Sequence, residues 1–263
     1  MPVNKACVAI IKGDKMGCLM WQAVEEGCPG TAQDKPTCKA GYVYLGDNSN
    51  DAKHVILVAT SPVRGLEDVH TPAVQKATGH LFASFWADSL PAVRKTGRNY
   101  DRGFDDVTTA ALAINPPYFR EFHQMHIHSG RRLPGIDKCI SSWAPGPLGV
   151  WQKPFLCSGL HPSQPQNQDD AVLFRTTVSS LDDIWTLYNS GIATPEMANT
   201  LAAAGGIPPN KAAYHVGMLV TQPPAWHKKK EFLVVLFAPS TKAAKNPDLG
   251  KLGRGQFMTN NVH

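Results

Sequence analysis

Residues Gln124-Met125-His126-Ile127-His128 alternate polar and apolar without a break, and a period of two is the mark of a β-strand with one face in the core. Met125 and Ile127 then belong to the buried face, while Gln124, His126 and His128 share the other. A slip of one residue would exchange the two faces, so the apolar pair determines how the strand sits. Two imidazoles on one strand face look into common space, and the strand is expected to present His126 and His128 to a wet cleft. A polar sheet face with two hydrogen-bonded histidines satisfies the same pattern, so the flanking sequence has to separate the two readings.

Upstream, Ala110 to Asn115 reads as a preceding strand, and Pro116-Pro117-Tyr118-Phe119-Arg120 as the connection to the histidine strand. That arrangement brings Asn115 close to the histidines. Elsewhere the pattern predicts strands over 41–45 and 54–59 around the turn 46–50, and a helix over 71–92 with Val74, Ala77, Leu81, Phe82 and Phe85 at helical spacing. Helical patterns follow near 180–190 and 195–204, and a last strand pair covers 214–221 and 231–238. The predicted class is α+β, a mostly antiparallel sheet with helices packed on one face and the histidines on the other.

The 263 residues, 43% of them hydrophobic, suffice for one substantial core. We expect a single domain over 1–263, with a short N-terminal extension at 1–20 and a long loop near the Pro/Gln-rich 158–170. No apolar run approaches the roughly 20 residues that cross a bilayer, and Ala6 to Ile11 is short for a signal-peptide core. A soluble, cytoplasmic protein is the first expectation, with an anchored or exported form as the alternative. None of the six cysteines forms a CxxC pair, which argues against zinc-finger and thioredoxin-like sites. The net charge of +5 suits an anionic ligand, but its basic residues are scattered and no nucleic-acid motif accompanies them. Trp226 beside Lys228, Lys229 and Lys230 at a hairpin tip is either a peripheral membrane contact or a solvated turn. No Walker or Rossmann glycine pattern is present, and no cofactor is expected.

Taken in order, Trp21 to Cys28, Pro36-Thr37-Cys38, Gly41 to Leu45, Leu112 to Asn115, Gln124 to His128 and Tyr214 to Met218 resemble the CDP-diacylglycerol pyrophosphatase branch of the histidine-triad superfamily. The resemblance implies a histidine-triad-like (HIT-like) fold and hydrolysis of a nucleotide-linked phosphoanhydride, with CDP-diacylglycerol as the lipid-nucleotide substrate. It implies His126 as the nucleophile, His128 as its partner and Asn115 at the nucleotide. Gln124 would offer its amide to a phosphate oxygen. The resemblance also suggests a Cys28–Cys38 disulfide in exported relatives, against two reduced thiols in a cytosolic chain. Independently of the resemblance, Arg120, Arg131 and Arg132 flank the histidine strand, where at least one could clamp a diphosphate or all could be solvated strand-end charges.

Two positions depart from the superfamily pattern. Gln124 occupies the first triad position, and His123, displaced by one residue, falls on the opposite strand face unless a bulge intervenes. Glu121 stands where relatives often carry Ser or Thr, and a carboxylate there is better suited to moving protons than to receiving a diphosphate. Two alternatives therefore stay open. One is a repurposed cleft using histidine acid/base chemistry on a non-nucleotide small molecule. The other is a metal site built from His123, His126 and His128, although Ser129-Gly130-Arg131-Arg132 adds no further ligand and two cations.

Overall fold

Small and β-branched apolar runs supply the central strands, and they assemble into one sheet. The computed structural model describes residues 24, 38–39, 41–46, 55–61, 63–89, 109–117, 124–140, 143–157, 171–204, 206–223, 230–239 and 258–259. Its ten strands are β1 (Cys38–Lys39), β2 (Tyr42–Gly46), β3 (Val55–Ala59), β4 (Ala110–Ile114), β5 (His126–Arg132), β6 (Phe155–Cys157), β7 (Ala171–Val178), β8 (Gly217–Thr221), β9 (Phe232–Pro239) and β10 (Met258–Thr259). They run in the order β1-β2-β3-β5-β4-β8-β9-β7-β6, with β10 added to β5. All these strand pairings are antiparallel.

Period two along the strands sorts side chains to two cores. On one face, Leu57, Leu112, Ile114, Met125, Ile127, Met218, Val220, Val234 and Leu236 pack against helices α2 (Leu81–Ser89), α4 (Ile184–Ile192) and α5 (Pro195–Ala203), which contribute Phe82, Phe85, Trp185, Tyr188, Met197 and Leu201. On the other, Ala111, Ala113, Leu219, Leu233, Val235 and Phe237 meet Ile136 and Ile140 of α3 (Pro134–Ile140). The expectation of helices on one face alone is thus corrected: β5 passes through Leu133 straight into α3, which folds back over the histidine side of the sheet. The remaining helical pieces are α1 (Pro72–Thr78), a 3-10 turn at Pro209–Lys211 and α6 (Ala212–His215). Among the described residues no helix is long and apolar enough to cross a membrane.

Other differences from the pattern have local causes. The helix expected over 71–92 is two, α1 and α2, parted at Gly79 and His80. Glycine costs about 1 kcal/mol in a helix interior, so a break there is cheap. The strand expected from 214 begins at Gly217, because Tyr214 and His215 close the α6 turn. By contrast, α5 starts where its residues dictate: Pro195 takes the first turn and the Thr194 hydroxyl accepts from Met197 N–H. Strand β7 and helix α3 were not expected. A disulfide, Cys139–Cys157, joins α3 to β6 with a Cα–Cα distance of 6.0 Å. The Cys28–Cys38 pairing falls partly outside the described residues.

Two stability predictions follow from this packing. A Cβ on Gly217 would collide with the Phe237 ring and the Pro116 ring, so Gly217→Ala should cost about 1–3 kcal/mol in urea denaturation. An unchanged midpoint would mean that Phe237 moves aside freely. The disulfide spans a sequence separation of 18; replacing Cys139 and Cys157 together by Ser should lower stability by about 3 kcal/mol. A double variant as stable as the parent would show that α3 is held in place without the covalent link.

Candidate active site

Strand β5 lies between β3 and β4, and register places its histidines on one face. Ile56 and Ala113 flank His128, and Val58 flanks His126. Met125 and Ile127 are buried on the opposite face, as the alternation predicts. The two imidazoles meet edge to face, with centroids 4.7 Å apart and planes at 78°. They are only 5% and 6% exposed, so the expectation of a wet strand face is corrected. The two rings pack on each other, and little of either is left for solvent.

The His126 ring is oriented by a backbone contact. Its Nδ1 lies 2.7 Å from the carbonyl oxygen of Gln124. A carbonyl only accepts, so Nδ1 must carry the hydrogen, and in the neutral ring the lone pair is then on Nε2. The carbonyl belongs to the peptide that links Gln124 to Met125. The N–H end of that same peptide donates to Val63 O at 2.8 Å.

Asn115 directly follows β4 and is half-buried. The β4–β5 register pairs Ala113 with His128, and the ladder ends there, two residues before Asn115. Asn115 therefore stands at the end of the strand next to the histidine strand.

Gln124 is arranged differently from its expected role at a phosphate oxygen. It is fully buried, and its Nε2 donates to the carbonyl of Ala59 and, at 2.9 Å, to that of Ser61. Both amide hydrogens are thereby directed at the end of β3.

Arg131 pairs through its backbone with Ala110 and Thr259, at a register position of opposite parity to the histidines. Its neighbour Arg132 has the histidines' parity and is buried. Its Nε reaches Asp137 Oδ1 of α3 at 2.5 Å, and its Nη1 contacts Thr221 Oγ1 and, at 3.4 Å, the carbonyl of Ala110. Arg132 thus ties the end of the histidine strand to α3 and β8. The parity was visible in sequence, but partners 22 and 89 residues away were not.

Arg120, Glu121, His123, Trp226, Lys228 and Lys229 lie outside the described residues. Lys230 is exposed, with φ of 54° in the turn before β9. No three His, Cys, Asp or Glu side chains among the described residues are grouped so as to hold a metal ion. A groove lined by Leu148, Val178, Asp183, Leu187 and Ser190 lies on the α4 side of the sheet, away from the histidines.

Comparison with known proteins converges on the same stretch of chain. Residues 16–173, which include Asn115 and Gln124 to His128, match the model of the CDP-diacylglycerol pyrophosphatase family. The chain is also 26% identical over 147 residues to the CDP-diacylglycerol pyrophosphatase of Yersinia pestis, covering 50% of this chain and 54% of that protein. It spans about half the length of that curated relative. With its matched residues taking in more than half of the sequence and the whole of the histidine strand, the chain belongs to the CDP-diacylglycerol pyrophosphatase family.

Proposed function

We propose that this protein hydrolyses CDP-diacylglycerol to CMP and phosphatidate, with His126 as the nucleophile on a HIT-like framework. The observation that carries this reading is the His126 Nδ1 contact to the Gln124 carbonyl, which leaves the lone pair on Nε2. A neutral imidazole with that polarity attacks phosphorus near neutral pH and divides one hard displacement into two.

In the first step Nε2 attacks the phosphorus that bears the cytidine. A P–N bond forms, the anhydride P–O bond breaks, and phosphatidate leaves with the bridging oxygen. In the second step water attacks the same phosphorus, the P–N bond breaks and CMP is released. His128, edge-on to His126, is suited to hold a phosphate oxygen or to protonate the departing one. Asn115, just past the end of β4, would contact the nucleotide, and Arg120 would contribute charge to the diphosphate, a role that the register parity of Arg131 does not suit. Histidine supplies the nucleophile, so the scheme calls on no cofactor. We read the chain as one such domain. The Cys139–Cys157 bond favours an oxidising compartment, since structural disulfides are rare where thiols are kept reduced.

The test is hydrolysis of CDP-diacylglycerol in oxygen-18 water, with His126→Asn as the companion variant. Asn keeps an N–H to offer the Gln124 carbonyl but has no counterpart of Nε2. Label should enter CMP, and the variant should lose roughly a thousandfold or more in turnover. Label in phosphatidate would move the attack to the other phosphorus, and a fully active variant would remove His126 as the nucleophile.

A further inference from the structure

We propose that Gln124 is a positioning residue, whose side chain sets the tautomer and aim of His126 through the backbone rather than by touching substrate. The proposal rests on His126 acting as the nucleophile. Four hydrogen bonds tie residues 124–125 to the stretch leaving β3. Gln124 Nε2 donates to the carbonyls of Ala59 and Ser61. Met125 N–H donates to Val63 O at 2.8 Å, and Ala59 N–H donates to Met125 O at 3.0 Å.

The geometry of a trans peptide makes this bracing directional. The N–H of Met125 and the C=O of Gln124 belong to one planar unit and point in opposite directions. Anchoring the N–H on Val63 therefore aims the C=O away from the 59–63 stretch, toward His126 Nδ1 at 2.7 Å. The side-chain amide holds the other flank of the same unit. Only N–H groups can face two carbonyls, so the orientation of the amide is settled by its partners. That leaves Oε1, buried and without a hydrogen-bond partner among the described residues. An acceptor oxygen has nothing to offer a phosphate oxygen, so a direct role in binding the diphosphate does not fit this arrangement.

If the two side-chain bonds are removed, the 124–125 peptide is held by its backbone bonds to Val63 and Ala59 alone, the Gln124 carbonyl can tilt about them and the preference for hydrogen on Nδ1 weakens. A ring with hydrogen on Nε2 cannot attack phosphorus through that atom. The cost then falls on the fraction of enzyme with a competent nucleophile, which lowers kcat and leaves substrate affinity nearly alone.

Gln124→Met, close in volume but without N–H groups, tests this in the full chain. Nitrogen-15 spectra of the histidine rings should show His126 with hydrogen on Nδ1 in the parent and a mixture of tautomers in the variant. Turnover of CDP-diacylglycerol should fall roughly 10–100-fold in kcat, as for other residues that orient a reacting ligand at one remove, with KM changed by no more than about twofold. Gln124→His returns one N–H donor and should recover most of both signals; should the Met variant not fold, the His variant carries the test. A rise in KM at constant kcat, in either variant, would make Gln124 a substrate contact and overturn the proposal. So would a Met variant whose His126 tautomer is unchanged. An active His126→Asn would fault the nucleophile assignment instead, and the nitrogen-15 comparison still decides whether Gln124 sets the ring.

Discussion

Strand β5 is hydrogen-bonded along both of its edges, to β3 and β10 on one side and β4 on the other, and the site depends on that enclosure. A strand held from both sides cannot slip by one residue without carrying Met125 and Ile127 out of the core. Their burial therefore fixes the parity of His126 and His128. The register with β4 sets Ala113 opposite His128, with Asn115 two residues farther along, just past the end of β4. The chemical polarity of the site has a smaller cause, one peptide unit at 124–125 whose two ends are engaged by Val63 and by the His126 ring.

The face that carries the histidines is also a packing face. Ala111, Ala113 and Leu219 on it lie beneath Ile136 and Ile140 of α3, which the Arg132–Asp137 pair and the Cys139–Cys157 bond hold in place. Gly217 admits the Phe237 ring where any Cβ would intrude. Strands β8 and β9, which join β4 to β7, follow residue 173, where the family match ends. The histidine strand lies within the matched portion, and part of the sheet that supports it lies beyond.

Local periodicity explains what was legible in the sequence. The alternation at 124–128, the apolar 110–114 run ending in Asn115 and the helical patterns near 180–190 and 195–204 are short-range, and the structure has elements at each, the first of the two helices beginning only at Ile184. What was missed depends on distant residues. Strand β7 owes its place to β9, some 60 residues later, and has a buried–buried–intermediate pattern rather than strict alternation. Helix α3 is seven residues long and opens on proline, too short for helical period to register. Wetness was misjudged because polar residues at period two show which face the histidines share, but not what covers it. The burial of His126 and His128 comes from tertiary packing that their neighbours in sequence do not encode.

The stereochemistry at phosphorus tests the central claim most directly. CDP-diacylglycerol made chiral by sulfur at the cytidine-bearing phosphorus can be hydrolysed in oxygen-18 water and the configuration of the resulting thio-CMP determined. Attack by His126 followed by attack by water inverts the centre twice, so the nucleotidyl-histidine route predicts net retention. Net inversion would mean a single displacement by water, with His126 acting on protons rather than on phosphorus, and would contradict it.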